Sequence, residues 1–125
     1  MNKQRLIGRI ITAIPVLFLA LDAVIKLLNI EPVRQSFQRL GYATSIALAI
    51  GLIELACLVV YLVPRTAVLG AVLLTGFLGG AIATHVRVGD PLLTHALFPV
   101  YVAALLWTGL FLRNERLRAF LATAV

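Results

Sequence analysis

Apolar runs long enough to cross a lipid bilayer recur along this chain, and they constrain its fold more than any other feature. A hydrocarbon core of roughly 30 Å is crossed by about 20 helical residues. We assign four such spans, at about 6–28, 45–63, 67–86 and 91–112. With 62% hydrophobic and 13% charged residues, the chain has too little charge to cover the surface of a soluble domain. The sequence therefore predicts an all-α polytopic membrane protein, with four transmembrane helices forming an antiparallel bundle and a single domain over residues 1–125.

A short polar segment, EPVRQSFQRLGY, connects the first two spans. Pro32 suits a first helical position, and Gly41 suits the residue just after a helix end. Apolar side chains share one face of this segment, while arginines and glutamines share the other. Because it is too short to span and strongly amphipathic, we predict a short helix at about 32–40 lying flat at the membrane interface.

The third and fourth spans carry signals for turns and for close packing. Only three residues, Pro64–Thr66, separate the second and third spans, which indicates a tight antiparallel hairpin. Pro99 has no amide hydrogen, so we expect a kink near His95. Small residues recur at every fourth position of the third span, among them Gly76, Gly79 and Gly80. Such ridges let helices approach closely in lipid, so we expect packing within the chain, with dimerisation as the alternative.

The distribution of basic residues predicts the orientation in the membrane. The net charge of +6 arises in the gaps between apolar runs and not on one continuous face, so we expect lipid rather than nucleic acid as a partner. Seven Lys and Arg residues lie on the side of the termini and four on the opposite side. We therefore expect both termini in the cytoplasm of a multi-pass protein of the cell inner membrane. The apolar run after the basic N-terminus is too long for a signal peptide, so the first span is expected to be retained.

Ionisable side chains within the spans are candidate functional residues, because they are costly in lipid and normally face the protein interior. Asp22 and Lys26 are four residues apart and can pair on one face of the first helix. That pair either neutralises itself near the outer interface or belongs to a site. Glu54 lies near the midplane of the second span, so it must be protonated or partnered from another helix. Lys26, a histidine and a tyrosine or threonine hydroxyl are its candidate partners.

Two histidines and an arginine flank the outer turn between the third and fourth spans. Histidines near buried carboxylates can carry protons or hold a polar headgroup. We predict a ligand-binding group made of Asp22, Lys26, Glu54, His85, Arg87 and His95. The spacing does not favour a metal site, and the single Cys57 excludes an intrachain disulfide or a CxxC pair. No catalytic motif occurs, so enzymatic activity stays open, with a non-enzymatic role favoured.

Several of these motifs together resemble the DoxX-like family of small four-helix membrane proteins. They are the Asp22–Lys26 pair, RLGY at 39–42, IELAC at 53–57 and the run from Tyr61 to Pro91, and the resemblance extends to about Arg118. The family is named after a subunit of a thiosulfate:quinone oxidoreductase. The resemblance therefore implies quinone as a cofactor and a membrane or redox subunit as a partner, but it supplies no set of catalytic residues.

Three functions follow as hypotheses. The polar pocket binds a small amphipathic ligand, a quinone or a lipid, or the protein is an accessory subunit of a membrane complex. Alternatively, the chain is a subunit of a quinone-linked membrane oxidoreductase. As a third hypothesis, it is a proton-coupled transporter of small solutes with Glu54 and His85 as the relay, which would require an oligomer such as a homodimer.

Overall fold

The computed structural model describes residues 3–124; Met1, Asn2 and Val125, which the single-domain prediction also covered, lie outside the described part. Six α-helices follow one another: α1 Lys3–Leu28, α2 Glu31–Arg39, α3 Ile46–Leu62, α4 Ala67–Arg87, α5 Phe98–Arg113 and α6 Glu115–Ala124. A 3₁₀ turn, Pro64–Thr66, joins α3 to α4, and a π-helical segment, Leu92–Ala96, precedes α5. No strand occurs in the described residues, which confirms the all-helical class.

Within residues 3–124, three helical segments are long and apolar enough to cross a membrane: Lys3–Leu28, Pro64–Arg87 and Leu92–Arg113. The helix α3 is equally apolar, but it has only 17 residues. At 1.5 Å per residue it is about 25 Å long, which is the short end of the range for a transmembrane helix. A membrane protein with three long apolar helices is therefore established, whereas a fourth crossing by α3 stays a prediction.

The amphipathic segment after α1 forms the expected short helix, α2. A proline occupies its first turn, and Gly41 follows its end with a φ of +84°, a left-handed conformation that suits glycine. Val33 and Phe37 are buried on one face and pack near Ala47 of α3, while the arginines lie on the opposite face. Amphipathic periodicity together with Pro32 and Gly41 therefore predicted the bounds of this helix to within one residue.

The hairpin of α3 and α4 is packed tightly at its turn. A Cβ on Gly70 of α4 would overlap the backbone of Tyr61 in α3, so only glycine permits this approach. Tyr61 is fully buried, and its hydroxyl donates to the Leu106 carbonyl in α5 at 2.7 Å. The Thr66 hydroxyl closes the turn by donating to the Val60 carbonyl at 2.8 Å.

The four long helices form neighbouring pairs around a shared apolar core. The first, α1, packs against α3 and α5, and α4 packs against the same two helices. Leu19, Leu58, Leu74, Leu106 and Leu110 are almost completely buried between them. Large apolar side chains are also exposed on the outer surface, Leu17 and Leu28 for example, as expected where the surrounding solvent is lipid.

The predicted role of the α4 glycines in packing within the chain is wrong. A Cβ at Gly76, Gly79 or Gly80 would meet no atom within 4 Å. Close helix approach occurs instead at other glycines: Gly8, Gly51, Gly70 and Gly109. Spacing in sequence identifies small faces, but the rotation of each helix decides which faces meet a neighbour. The alternative of dimerisation through these glycines stays a prediction.

The expected interruption near His95 is present. Amides of Ala96 and Leu97 bond to carbonyls five residues earlier, those of Pro91 and Leu92, at 3.2 and 2.9 Å. The regular helix resumes only at Phe98, with Pro99 in its first turn. A wider π-turn followed by a break is consistent with the missing amide of that proline.

Candidate functional site

A buried ionic triad joins α1 to α3. The Lys26 ammonium lies 2.6 Å from Asp22 Oδ2, one turn earlier on α1, and 3.3 Å from Glu54 Oε1 on α3. The exposed fractions of the side chains are 28% for Asp22, 16% for Lys26 and 1% for Glu54. Among the candidate partners of Glu54, the structure therefore selects Lys26.

A glycine brings the two helices of the triad together. A Cβ on Gly51 would lie 3.0 Å from Lys26 Cβ and 3.2 Å from the Ala23 carbonyl oxygen, tighter than ordinary contact. Gly51 is three residues before Glu54, on the same face of α3. Its missing side chain lets α3 approach α1 at the level of Lys26, so that the lysine reaches the glutamate.

The triad leaves one carboxylate oxygen without a donor. Glu54 Oε1 receives its hydrogen bond from Lys26, but Oε2 is buried and has no hydrogen-bond partner among the described residues. The triad also contains two carboxyl groups and a single ammonium. A buried acceptor without a donor costs about 1–3 kcal/mol, and more when it is charged.

A cavity of about 510 Å³ lies beside the triad. Its polar lining consists of Asp22, Lys26, Ser36, Tyr42, Glu54, Thr84 and His85. Four phenylalanines line it as well: Phe18, Phe37, Phe77 and Phe98. A concave, mainly apolar space of this size with a few convergent polar groups has the properties of a small-molecule site.

A second polar cluster lies at the C-terminal end of α4. Two guanidinium nitrogens of Arg39 contact the two carboxylate oxygens of Asp90 at 2.8 and 3.3 Å. His85 Nδ1 lies 2.5 Å from Asp90 Oδ2. The hydrogen bonds from Arg39 and then from His85 lower the pKa of Asp90 to about 2, and the same carboxylate raises the pKa of Arg39. Asp90 is therefore a carboxylate at neutral pH.

The second cluster fastens α2 over the cavity. Besides the Arg39–Asp90 pair, the Arg87 guanidinium donates to the Leu40 carbonyl. The hydroxyls of Tyr42 and Thr84 are 2.8 Å apart. Cavity-lining residues of this region are Ser36, Phe37, Leu40 and Tyr42. The helix α2 and the residues after it thus form the outer cover of the cavity.

The six predicted site residues fall into two groups. Four of them line the cavity: Asp22, Lys26, Glu54 and His85. Arg87 binds the cover from outside, and His95 is exposed, with its ring centroid 6.1 Å from that of His85. Arg87 and His95 therefore do not line the cavity, and ligand binding by the six residues stays a prediction.

Sequence reasoning omitted Arg39 and Asp90 from the site. They are 51 residues apart, so no local spacing connects them. In the sequence, only the polar face of α2 and the acidic Asp90 after the third span could have indicated this pair. Within residues 3–124, no group of three or more His, Cys, Asp and Glu side chains is arranged to hold a metal ion.

The helices and the buried ionic triad define an all-helical membrane protein with a polar cavity among its apolar helices. Comparison with family models identifies it further. The model of the DoxX-like family matches residues 10–109, so the chain belongs to the DoxX-like family. Neither a curated protein nor a solved structure matches the chain.

Proposed function

We propose that this protein is a four-helix transmembrane bundle whose polar cavity binds a small amphipathic ligand, a quinone or a lipid. The observation that carries the proposal is the cavity of about 510 Å³, whose lining combines the Asp22, Lys26 and His85 side chains with four phenylalanine rings. A polar headgroup would lie against Asp22 and Lys26, whose side chains are 28% and 16% exposed.

The two kinds of cavity lining favour an amphipathic molecule over a purely polar one. Charged groups are concentrated at the triad, where Glu54 is 0% exposed and Lys26 is held by two carboxylates. The remaining lining is dominated by phenylalanine rings and aliphatic side chains. A polar headgroup would lie at the triad, and an apolar body would replace water against the rings.

The bundle requires α3 to cross the membrane. Glu54 is the central residue of the 17 in α3, and its carboxyl group contacts Lys26 and not lipid. The 3₁₀ turn returns the chain directly into α4, which supports an antiparallel crossing. The four helices would then form the predicted antiparallel transmembrane bundle.

The charge distribution supports cytoplasmic termini. Seven of the eleven Lys and Arg residues lie on the side of the termini. On the opposite side, Lys26, Arg34 and Arg39 are each paired with a carboxylate. By the positive-inside rule the α3–α4 turn would face the cytoplasm, and α2 would lie on the outer surface of the cell inner membrane.

The test is to identify molecules that copurify with the protein. The wild type is extracted in mild detergent, and bound lipids and quinones are measured by mass spectrometry against protein amount. Glu54→Gln removes one of the two carboxyl groups that hold Lys26 at the cavity, so retention of the bound amphiphile should fall about tenfold. Glu115→Gln is the matched control, since its carboxylate is exposed and far from the triad. Equal retention by wild type and Glu54→Gln would refute binding through this site.

A further inference from the structure

Three helices meet around Arg113, at the end of the molecule where α1 begins and α5 ends. Gly109 of α5 lies against Thr12 of α1, because a Cβ on the glycine would overlap the threonine Oγ1. Tyr61, near the end of α3, is fully buried and contributes its ring to the same region. None of these residues lines the cavity. Arg113, the last residue of α5, therefore lies at a separate junction of α1, α3 and α5.

Two contacts fix the orientation of the Arg113 guanidinium. Its Nε donates to Thr12 Oγ1 at 3.1 Å, and its central carbon lies 5.1 Å from the centre of the Tyr61 ring. Arg113 is only partly buried, and neither terminal nitrogen, Nη1 or Nη2, has a hydrogen-bond partner among residues 3–124. A guanidinium held through Nε and one face still presents these two nitrogens side by side. Such a pair matches two oxygens of one anionic group.

The position of Arg113 along the helices corresponds to the headgroup level of a bilayer. It is the last residue of Leu92–Arg113, an apolar segment long enough to cross a membrane. The helix α1 has 26 residues. At 1.5 Å per residue it is about 39 Å long, which exceeds a hydrocarbon core of roughly 30 Å. The end of α5 and the first turns of α1 therefore reach the level where phospholipids carry their phosphate groups.

The same end of the molecule carries an excess of basic side chains. Four exposed ones have no hydrogen bond or ion pair among residues 3–124: Lys3, Arg9, Arg65 and Arg116. Arg5 is paired, but only with the exposed Glu115 at 3.6 Å. Arg9 is three residues before Thr12 and therefore shares its side of α1. An anion at Arg113 would thus be attracted by further cations.

Arg118 removes the electrostatic obstacle to an anion at this position. The last carbonyl groups of a helix carry partial negative charge, which would repel an anion near the end of α5. Arg118 Nη1 donates to the Phe111 and Leu112 carbonyls, at 2.6 and 2.8 Å. The protein itself therefore compensates the negative end of α5 beside Arg113.

We propose that Arg113 binds the phosphate of an anionic phospholipid, with Nη1 and Nη2 each donating to one phosphate oxygen. This site is separate from the cavity and does not depend on the proposed function. Exposed basic residues alone attract anionic lipids without selecting one position. The selecting observation is a partly buried guanidinium that is held by Thr12 and Tyr61 and keeps two donor nitrogens unused. A zwitterionic headgroup carries its own ammonium, so a lipid with net negative charge is preferred.

The experiment measures lipid retention by native mass spectrometry. The protein in detergent is offered equal amounts of phosphatidylglycerol and phosphatidylcholine with identical acyl chains. The wild type should retain phosphatidylglycerol about tenfold better, and Arg113→Gln should reduce this preference to about twofold or less. Arg34→Gln is the matched control, since it removes the same charge from an arginine already paired with Glu31. It should change the preference less than about twofold.

A second variant tests the orientation of the guanidinium separately from its charge. Thr12→Val keeps the volume of the side chain and the charge of Arg113 but removes the acceptor of Nε. The preference for phosphatidylglycerol should fall about fivefold, the effect of one hydrogen bond. Should Arg113→Gln aggregate, this variant alone decides.

Three outcomes would overturn the proposal. They are equal retention of the two lipids by wild type, equal losses in Arg113→Gln and Arg34→Gln, and an unchanged preference in Thr12→Val. A competition arm distinguishes lipid from a free phosphate ester. Glycerol phosphate in large excess should leave the bound lipid in place, because it lacks acyl chains. Displacement would assign Arg113 to a soluble phosphate ester and refute a lipid site.

Discussion

Arg39 and Asp90 are 51 residues apart in the chain and form a bidentate ion pair that holds α2 against the turn after α4. The Asp90 side chain is only 10% exposed, since it lies between Arg39 and His85. Through this pair, the short helix α2 becomes the cover of the cavity. The position of α2 therefore depends on a long-range ionic contact as well as on its own apolar face.

Asp90→Asn should loosen the cover without unfolding the long helices. The amide cannot provide two anionic oxygens to Arg39, so hydrogen exchange of residues 31–42 should become several-fold faster. Glu31→Gln is the control, because it removes the exposed ion pair with Arg34 within α2. Unchanged exchange in Asp90→Asn would show that the apolar contacts of Val33 and Phe37 suffice to hold the helix.

Acidification of the wild type should also loosen α2, between about pH 4 and pH 2. The pKa of Asp90 is lowered to about 2, below the unfolded value of about 3.9. A carboxyl with a depressed folded-state pKa contributes stability that is complete above about pH 4 and is lost as the pH falls through about 2. Exchange of residues 31–42, corrected for the intrinsic rate, should therefore rise between about pH 4 and pH 2 in wild type. Asp90→Asn should lack this transition, and an identical pH profile in both proteins would contradict the assignment.

Removing the ammonium of the triad should destabilise the fold more than removing the ammonium together with one carboxyl group. Lys26→Met leaves Asp22 and Glu54 without a cation, and breaking a buried ion pair costs about 3–5 kcal/mol. The double variant Lys26→Met/Glu54→Gln should recover a large part of the loss, because the most buried charge is also gone. Thermal unfolding in detergent, followed by helical circular dichroism, gives the comparison. Additive effects of the two substitutions would show that the side chains are not coupled.

Gly51→Ala should destabilise the contact between α1 and α3. The new methyl group would lie 3.0 Å from Lys26 Cβ and 3.2 Å from the Ala23 carbonyl, so the helices must separate. Overpacking of this kind costs about 1–3 kcal/mol. Gly79→Ala is the matched control, since its methyl group meets nothing within 4 Å. The two variants are compared by melting temperature in the same detergent, and equal melting temperatures would exclude close packing at Gly51.

Local features of the structure were predictable from the sequence. The short helix α2 and the interruption before α5 follow from residues adjacent in sequence: a proline and a glycine at the ends of one, and Pro99 in the other. The pairing of Asp22 with Lys26 follows from their spacing on one helix. The family resemblance also held, because the DoxX-like model matches residues 10–109.

Contacts between helices depended on helix rotation and depth, which spacing along one helix does not contain. For Glu54 the sequence offered several partners, and packing at Gly51 selected Lys26. The sequence also predicted a helix contact at Gly76, Gly79 and Gly80, whereas a Cβ at any of these glycines would meet no atom within 4 Å.

The sequence by itself determined the helical class, the apolar environment and the ionisable residues that require partners, because each depends on composition or on neighbours within about two helical turns. Only the tertiary structure decided which partners meet. The Arg39–Asp90 pair and the unpartnered Glu54 oxygen exist because helices distant in sequence pack at particular angles and depths.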